Sequence, residues 1–494
     1  MVSIHEKSEA EESTDPTQTP ISEDFDDDNH NTTRASIQRT ASRNEFDHHA
    51  EGEFKSGPGS NILSKVASRI SRVSTIEPPP DGGLNAWTQC ACAWLVVFCT
   101  WGYANAFGAF QAYYTEDLKL DGSTVSWIGS INVFVLFFMS TFSGRALDAG
   151  LFLPVFAVGA VLQIVGIFTT SVSTTFWQLL LSQGLATGIG SGIFFCPSMA
   201  LCATYFSKKR GIAVALATSG NSVGGMIYPI IVTQLLPKIG YGWTVRVLGF
   251  VNLACLAIVF AFMRPRLPPR TAGPLLDYAS FKDLSYMLFV AGVFCAMWSL
   301  YFTVYYVSDP EHRSQKDTSL TFNQISSYAE SVLGMSFNEA VNLTIIYNGI
   351  GVPARIASGL LADRSLGVLN TFIPFVIINA LLTYCWIGVS SVSGYYILVC
   401  FYGLASAAFQ SLFPTSIASL TTDIRKTGTR LGMAFSIISF AGLTGPPLGG
   451  ALLTTDNGGY MPAQVWAGTA MLLGAGFIIA ARITRYGSAL KVKC

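Results

Sequence analysis

Apolar residues in this chain come in long unbroken runs. They do not alternate as in a half-buried strand, nor form the one-sided stripe of a soluble helix. Crossing a hydrocarbon core ~30 Å thick takes about 20 such residues in a helix. Runs of this kind occupy 88–110, 125–145, 151–171, 177–202, 212–236, 243–263, 285–307, 341–361, 371–390, 394–417, 430–453 and 462–483. Lipid offers no partner to a bare N–H or C=O, so each run is predicted to be a helix that satisfies its own backbone. Twelve spans are expected.

The polar breaks carry a directional signal. With the N-terminal tail in the cytosol, sixteen Lys and Arg lie on the inner side: Arg145, Lys208, Lys209, Arg210, Arg264, Arg266, Arg270, Lys282, Arg364, Arg425, Lys426, Arg430, Arg482, Arg485, Lys491 and Lys493. The outer side holds five: Lys119, Lys238, Arg246, Arg313 and Lys316. Positive charge stays inside, which places both termini in the cytosol. The plasma membrane is the expected location, with the vacuolar membrane as the alternative.

Composition agrees. Of 494 residues, 12% are charged and 50% hydrophobic, with a mean hydropathy of +0.44, where a soluble domain carries about 25% charge. The net charge of zero hides a segregation. Residues 1–86 are polar, with an acidic run at Glu23, Asp24, Asp26, Asp27 and Asp28, and are expected to be a disordered cytosolic tail. A six-helix bundle is predicted over 87–263, a cytosolic linker over 264–284, a second bundle over 285–484 and a short cytosolic tail over 485–494. Within the N-terminal tail, Ile62, Val66, Ile70 and Val73 share a helical face beside Lys65, Arg69 and Arg72, which suits either an anionic lipid surface or a basic linker. The ten cysteines show no metal spacing and read as small apolar groups. No Gly-rich phosphate loop ending in Lys-Ser/Thr is present, and no histidine lies within a span. An enzyme, a cofactor, a metal site and a nucleic-acid partner are therefore not expected.

The two halves echo each other. Gly144-Arg-Ala-Leu-Asp148-Ala-Gly150 follows the second span, and Gly359-Leu-Leu-Ala-Asp363-Arg364-Ser-Leu-Gly367 follows the eighth. Gln183-Gly-Leu-Ala-Thr187 in the fourth span matches Tyr402-Gly-Leu-Ala-Ser406 in the tenth; Pro197 matches Pro414, and Arg210 matches Arg430. Nearly constant offsets point to a 6+6 duplication. The glycines allow close helix approach. The aspartates can cap a helix N-terminus or pair with a basic helix end, which would hold the inner side shut while the outer side is open. The Gly-x-x-x-Asp-(Arg)-x-x-Gly pattern resembles the signature loop of the major facilitator superfamily. The first copy is degraded, with no arginine after Asp148.

Two further segments sharpen the resemblance. Pro80-Asp81-Gly82-Gly83-Leu-Asn-Ala-Trp87 enters the first span, and Tyr205-Phe-Ser-Lys208-Lys209-Arg210-Gly-Ile-Ala213 leads into the fifth. Together they resemble the paired signatures of the monocarboxylate transporter family, in particular its fungal branch. The resemblance covers about residues 78–484. It implies a twelve-helix fold of two bundles around a central cavity, alternating access, and proton coupling. It also implies that Arg355, in the frame Arg355-Ile-Ala-Ser-Gly359, pairs with a substrate carboxylate. Animal members carry an aspartate four residues earlier and a lysine in the first helix. Here those regions read Gly351 and Gly102-Tyr-Ala-Asn105-Ala-Phe-Gly-Ala-Phe-Gln111. Coupling is therefore expected to be weak, or carried by the substrate's own carboxyl group.

Arg355 also stands out without the resemblance. No other charged residue lies in the stretch 341–361. An arginine at mid-bilayer costs roughly 2.5–3.5 kcal/mol on insertion scales. Such a charge either meets an anion in a polar cavity or bonds backbone carbonyls opened by Pro353. Gly349, Gly351 and Pro353 suit a locally unwound helix. Asn105, Gln111, Asn132 and Asn221 are candidates to line the cavity with it, or to hydrogen-bond between helices. Asp81, Gly82, Gly144, Asp148, Lys208, Arg210, Gly359, Asp363 and Arg364 are assigned to gating and loop structure. The expected partners are the lipid bilayer and a small organic solute, anionic if Arg355 serves it. Transport, including export of a secondary metabolite, is the first reading. A membrane sensor that binds solute without moving it is the second.

Overall fold

The computed structural model describes residues 78–120, 122–268, 275–305, 328–329, 332–455 and 459–487. The basic amphipathic stretch, most of the N-terminal tail, Arg270, His312, Arg313, Lys316, Lys491, Lys493 and Cys494 lie outside the described residues.

The apolar runs all form helices. They are α1 Gly83–Asn105, α2 Phe107–Glu116, α3 Gly122–Phe138, α4 Ser140–Asp148, α5 Phe152–Thr170, α6 Phe176–Leu179, α7 Thr187–Thr204, α8 Arg210–Phe262, α9 Leu284–Tyr305, α10 Phe337–Leu361, α11 Val368–Ile387, α12 Val392–Leu420, α13 Thr427–Thr455 and α14 Met461–Tyr486. Single-residue breaks at Ala106 and Met139 divide the first two spans, and π-helical turns at Leu180–Ala186 and Ala362–Leu366 extend two others. None of these irregularities is visible in the apolar pattern. Capping is explicit at two starts. Thr175 pairs reciprocally with Gln178, and Ser336 with Glu339.

Among the described residues, 11 helical segments are long and apolar enough to cross a membrane. The longest, α8, has 53 residues, about 80 Å at 1.5 Å per residue and far more than one crossing requires. It doubles back at Gly240, whose φ of 74° and ψ of 169° are not helical. Asn252 Nδ2 donates to Tyr228 Oη at 3.0 Å, a contact between residues equidistant from Gly240 that a straight helix would hold tens of ångströms apart. The two arms, split by the polar break between 236 and 243, give twelve passes.

The expected unwinding of the eighth span does not occur. Helix α10 runs unbroken through Gly349, Gly351 and Pro353. The expected tail boundary also moves. Helix α1 begins at Gly83, and the backbone just before it is bonded to the protein, with Asp81 N–H donating to the Tyr205 carbonyl at 3.2 Å.

Small residues set the packing. Helices α1 and α8 touch along Gly102, Gly220 and Gly224. A Cβ on Gly224 would lie 2.8 Å from the Cα of Gly102, so larger residues would pry the pair apart. The two repeats meet along α8 with α10, and along α3 and α4 with α13. These two lines of contact frame the site.

Candidate functional site: a bipolar cavity and a double lock

Between the repeats lies a cavity of about 1240 Å³, counting the part open to solvent. Its polar side is a ladder of side chains from both repeats. Asn105 Nδ2 donates to Asn221 Oδ1 at 3.0 Å, and Asn221 Nδ2 donates to Gln410 Oε1 at 3.0 Å. Arg355 Nη2 donates to the same Gln410 oxygen at 3.1 Å, and Arg355 Nε to Ser222 Oγ at 3.1 Å. Arg355 is only 3% exposed and sits near the middle of the span Asn342–Leu366. Among the described residues, no acidic side chain lines the cavity. The guanidinium is thus held by neutral side chains, not by backbone carbonyls and not by a carboxylate among the described residues. A buried charge without a counter-charge is costly, and an entering anion would relieve that cost.

Gly351 explains how Ser222 reaches the arginine. A Cβ on Gly351 would lie 2.6 Å from Ser222 Oγ. The place one turn before Arg355, acidic in the resembled animal transporters, is filled here by a hydroxyl from the opposite repeat.

The sequence candidates divide. Asn105, Gln111, Asn221 and Arg355 line the cavity. Asn132 does not. Its Nδ2 donates to the Gln183 carbonyl and to Thr187 Oγ1, both at 2.8 Å, tying α3 to the π-helical turn and α7. It faces a neighbouring helix because its α3 position points into the first repeat. Gln410 and Ser222 were missed. A lone amide in the apolar run Ala407-Ala-Phe-Gln410 was the available signal for the first. The aromatic lining was missed too. Trp101, Phe137 and Phe195 from the first repeat meet Tyr301, Phe413 and Phe435 from the second, all lining the cavity. Phe137 and Phe435 lie 5.1 Å apart between centroids and 18° from parallel. Phe195 is 5.5 Å from Phe435.

At the end of the molecule where the basic loops gather, the two repeats are joined reciprocally. Asp148, the last residue of α4, accepts from the amides of Gly428 and Thr429 at 3.1 and 2.8 Å and from Thr429 Oγ1 at 2.6 Å. Asp363 accepts from the amides of Gly211 and Ile212, both at 2.8 Å. Each carboxylate therefore caps the first turn of a helix in the other repeat, where orphan donors and the helix dipole favour negative charge. Glycine makes this reach possible. A side chain on Gly144 would run into the carbonyl of Gly428, and one on Gly359 would lie 2.7 Å from the carbonyl of Gly211. Arg210 donates to the carbonyls of Phe206 and Ala418, the second across the repeats. Arg364 is exposed.

Asp81 serves a different joint. Its Oδ1 accepts from the amides of Ser207, Lys208 and Lys209 at 2.5, 2.8 and 3.4 Å. The two signature segments read from the sequence are thus one contact. Asp81 adopts a φ of 50° and Gly83 a φ of 81°, a left-handed turn that only glycine and a few polar residues tolerate; Gly82 sits between them. The second repeat has a counterpart that sequence reading overlooked. Asp277 accepts from Lys426 Nζ at 3.0 Å and from Ser280 Oγ at 2.7 Å, and lies 3.5 Å from Arg430 Nε. Burial opposes its charge, but the bonds from Ser280 and Lys426, with the charges of Lys426 and Arg430, outweigh that and hold its carboxyl below the usual range.

A polytopic helical membrane protein with two helical bundles around a central cavity has the build of a membrane transporter. The comparisons agree. Residues 93–309 match the family model described as Major Facilitator Superfamily. An "MFS-type transporter" of Gibberella zeae is 40% identical over 422 residues, 85% of this chain and 92% of that one. The "Aspyridones efflux protein apdF" of Emericella nidulans is 32% identical, over 83% of this chain and 80% of that one. The "Agnestins efflux protein AgnL12" of Paecilomyces divaricatus is 32% identical, over 88% and 94%. The solved structure of the human organic anion transporter MFSD10 superposes with a TM-score of 0.61 at 14% identity, over 80% of this chain and 99% of that one, a likeness of fold. The chain belongs to the Major Facilitator Superfamily and resembles its fungal MFS-type transporters.

Proposed function

We propose that this chain exports an anionic organic solute, a carboxylate in the simplest case, with Arg355 as its pairing group. The observation that carries the reading is the buried guanidinium, held by Ser222 and Gln410 in a cavity with no acidic lining residue among the described residues. Arginine can offer a carboxylate two parallel bonds, and its fixed charge offsets the cost of bringing an anion to mid-membrane. Export is favoured by the efflux proteins among its relatives. The contact of Asp81 with the Lys208 loop supports kinship with the monocarboxylate transporter branch.

In this reading the basic end is cytosolic, both termini and the linker 264–284 lie there, and the plasma membrane is the site of action. The described conformation is then closed to the cytosol. The solute enters when the Asp148 and Asp363 caps release and the cavity turns inward, and the two repeats rock about it. With Gly351 in place of an acid, proton coupling is weak or carried by the substrate's carboxyl group.

The test is flux of an organic acid out of cells producing Arg355 variants, with surface delivery checked. Arg355→Ala should abolish flux, and Arg355→Lys should weaken it severely, since lysine keeps the charge and loses the fork. A correctly delivered Arg355→Ala protein that transports at the wild-type rate refutes the proposal. A sensor that does not transport would show no flux in any variant.

A further inference from the structure

We infer that the solute is an aromatic or conjugated acid, its acid group at Arg355 and its ring against the cluster formed by Phe137, Phe195, Phe435 and their neighbours. This rests on the reading of Arg355 as an anion site and names the class of anion.

The first observation is segregation. Asn105, Asn221, Gln410, Arg355 and Ser222 are joined by hydrogen bonds, and six of the eight rings lining the cavity are joined by ring contacts into a separate cluster. Among the described residues, Arg355 is the single charged one lining the cavity. The hydrogen-bonded set therefore matches one acid group, and the rest of the ligand faces rings.

The second observation is how the rings meet. The cluster joins the two repeats. Phe137 stacks on Phe435, Phe195 tilts against Phe435 at 5.5 Å, and Tyr301 approaches Phe137 edge-on at 6.3 Å. These contacts must part when the repeats rock. An alkyl chain could replace only the apolar area they bury. A planar π-system can also replace their edge and face interactions, which favour ring pairs beyond area alone. A ligand ring would thus stabilise the parted arrangement, the differential interaction that a transported solute must supply.

The experiment uses the full chain in lipid nanodiscs and calorimetric titration with three probes: 2-naphthoate, its saturated analogue decahydro-2-naphthoate, and uncharged 2-naphthamide. Naphthoate should bind roughly tenfold more tightly than the saturated acid. Phe137→Leu and Phe435→Leu should each shrink that ratio. Arg355→Lys should weaken both acids alike. The wild-type comparison of the two acids needs no variant, so a misfolded mutant cannot obscure the answer. Equal affinity of the two acids, or no binding of either in the millimolar range, overturns the inference; equal affinity leaves the anion site standing. Naphthamide binding as tightly as naphthoate instead overturns the anion reading, and the aromatic acid with it.

Discussion

Replacing Asp148 or Asp363 with asparagine should loosen the lock at the basic end by a predictable amount, and at both sites together. Each carboxylate uses both oxygens. Asp363 presents one to Gly211 N–H and the other to Ile212 N–H, both at 2.8 Å. Asparagine keeps one oxygen and turns an NH₂ group toward the second donor, so one bond and the charge are lost. Hydrogen bonds to charged groups contribute about 1.5–3 kcal/mol. The carboxylates are half-buried, and water at the rim recovers part of that, leaving about 1–2 kcal/mol per site, a factor of about 5–30 in the equilibrium between closed and open ends. Hydrogen–deuterium exchange reads it directly, because the amides of Gly211, Ile212, Gly428 and Thr429 are the bonded groups. Asp363→Asn should speed exchange at Gly211 and Ile212 by that factor. If the repeats move as bodies, it should also speed exchange at Gly428 and Thr429, which it does not touch. Substrate affinity should change little, since neither aspartate lines the cavity, while the rate of cycling falls. Acceleration confined to Gly211 and Ile212 would reduce Asp363 to a local cap and refute the concerted lock. Binding lost with exchange of bound solute intact would refute it too.

Three further outcomes follow. Gly351→Ala places a Cβ 2.6 Å from Ser222 Oγ, so it should displace the serine from Arg355 and lower transport at least several-fold with normal delivery; unchanged flux would mean that Ser222 does not position the arginine. Asp81→Ala removes an acceptor shared by three amides and should lower the unfolding temperature modestly, with a cost of about 0.5–1.5 kcal/mol, because water can bond the exposed donors; an unchanged melting curve would rule out the cap as a stabilising joint. Asp277 has its native acidity raised by Ser280, Lys426 and Arg430, so its contribution is full above its unfolded value of about 3.9 and is lost as pH falls through the lower native value. Asp277→Asn should flatten that acid limb of stability against pH, and an identical limb in the variant would show that the ion pair contributes nothing there.

The amino-acid pattern alone determined the number of passes, their approximate limits and the duplication, because lipid forces every long apolar run to close its own hydrogen bonds as a helix. It also singled out Arg355, since a lone charge in such a run is conspicuous, and both loop aspartates, since the repeat marks them. Partners were another matter. Asp148 meets Thr429 and Asp363 meets Ile212 only because the repeats face each other in antiparallel register, and glycines at 144, 211, 359 and 428 let backbones touch. Polarity could not separate Asn132 from Asn221. Both are asparagines in apolar spans, and the rotation of each helix decides that one bonds its neighbour while the other faces the cavity. Nor could it distinguish Phe195 or Phe435 from the other phenylalanines of this chain. An aromatic ring looks the same to the chain whether it faces lipid, core or ligand, and only the packing of the two repeats turns eight of them toward one space.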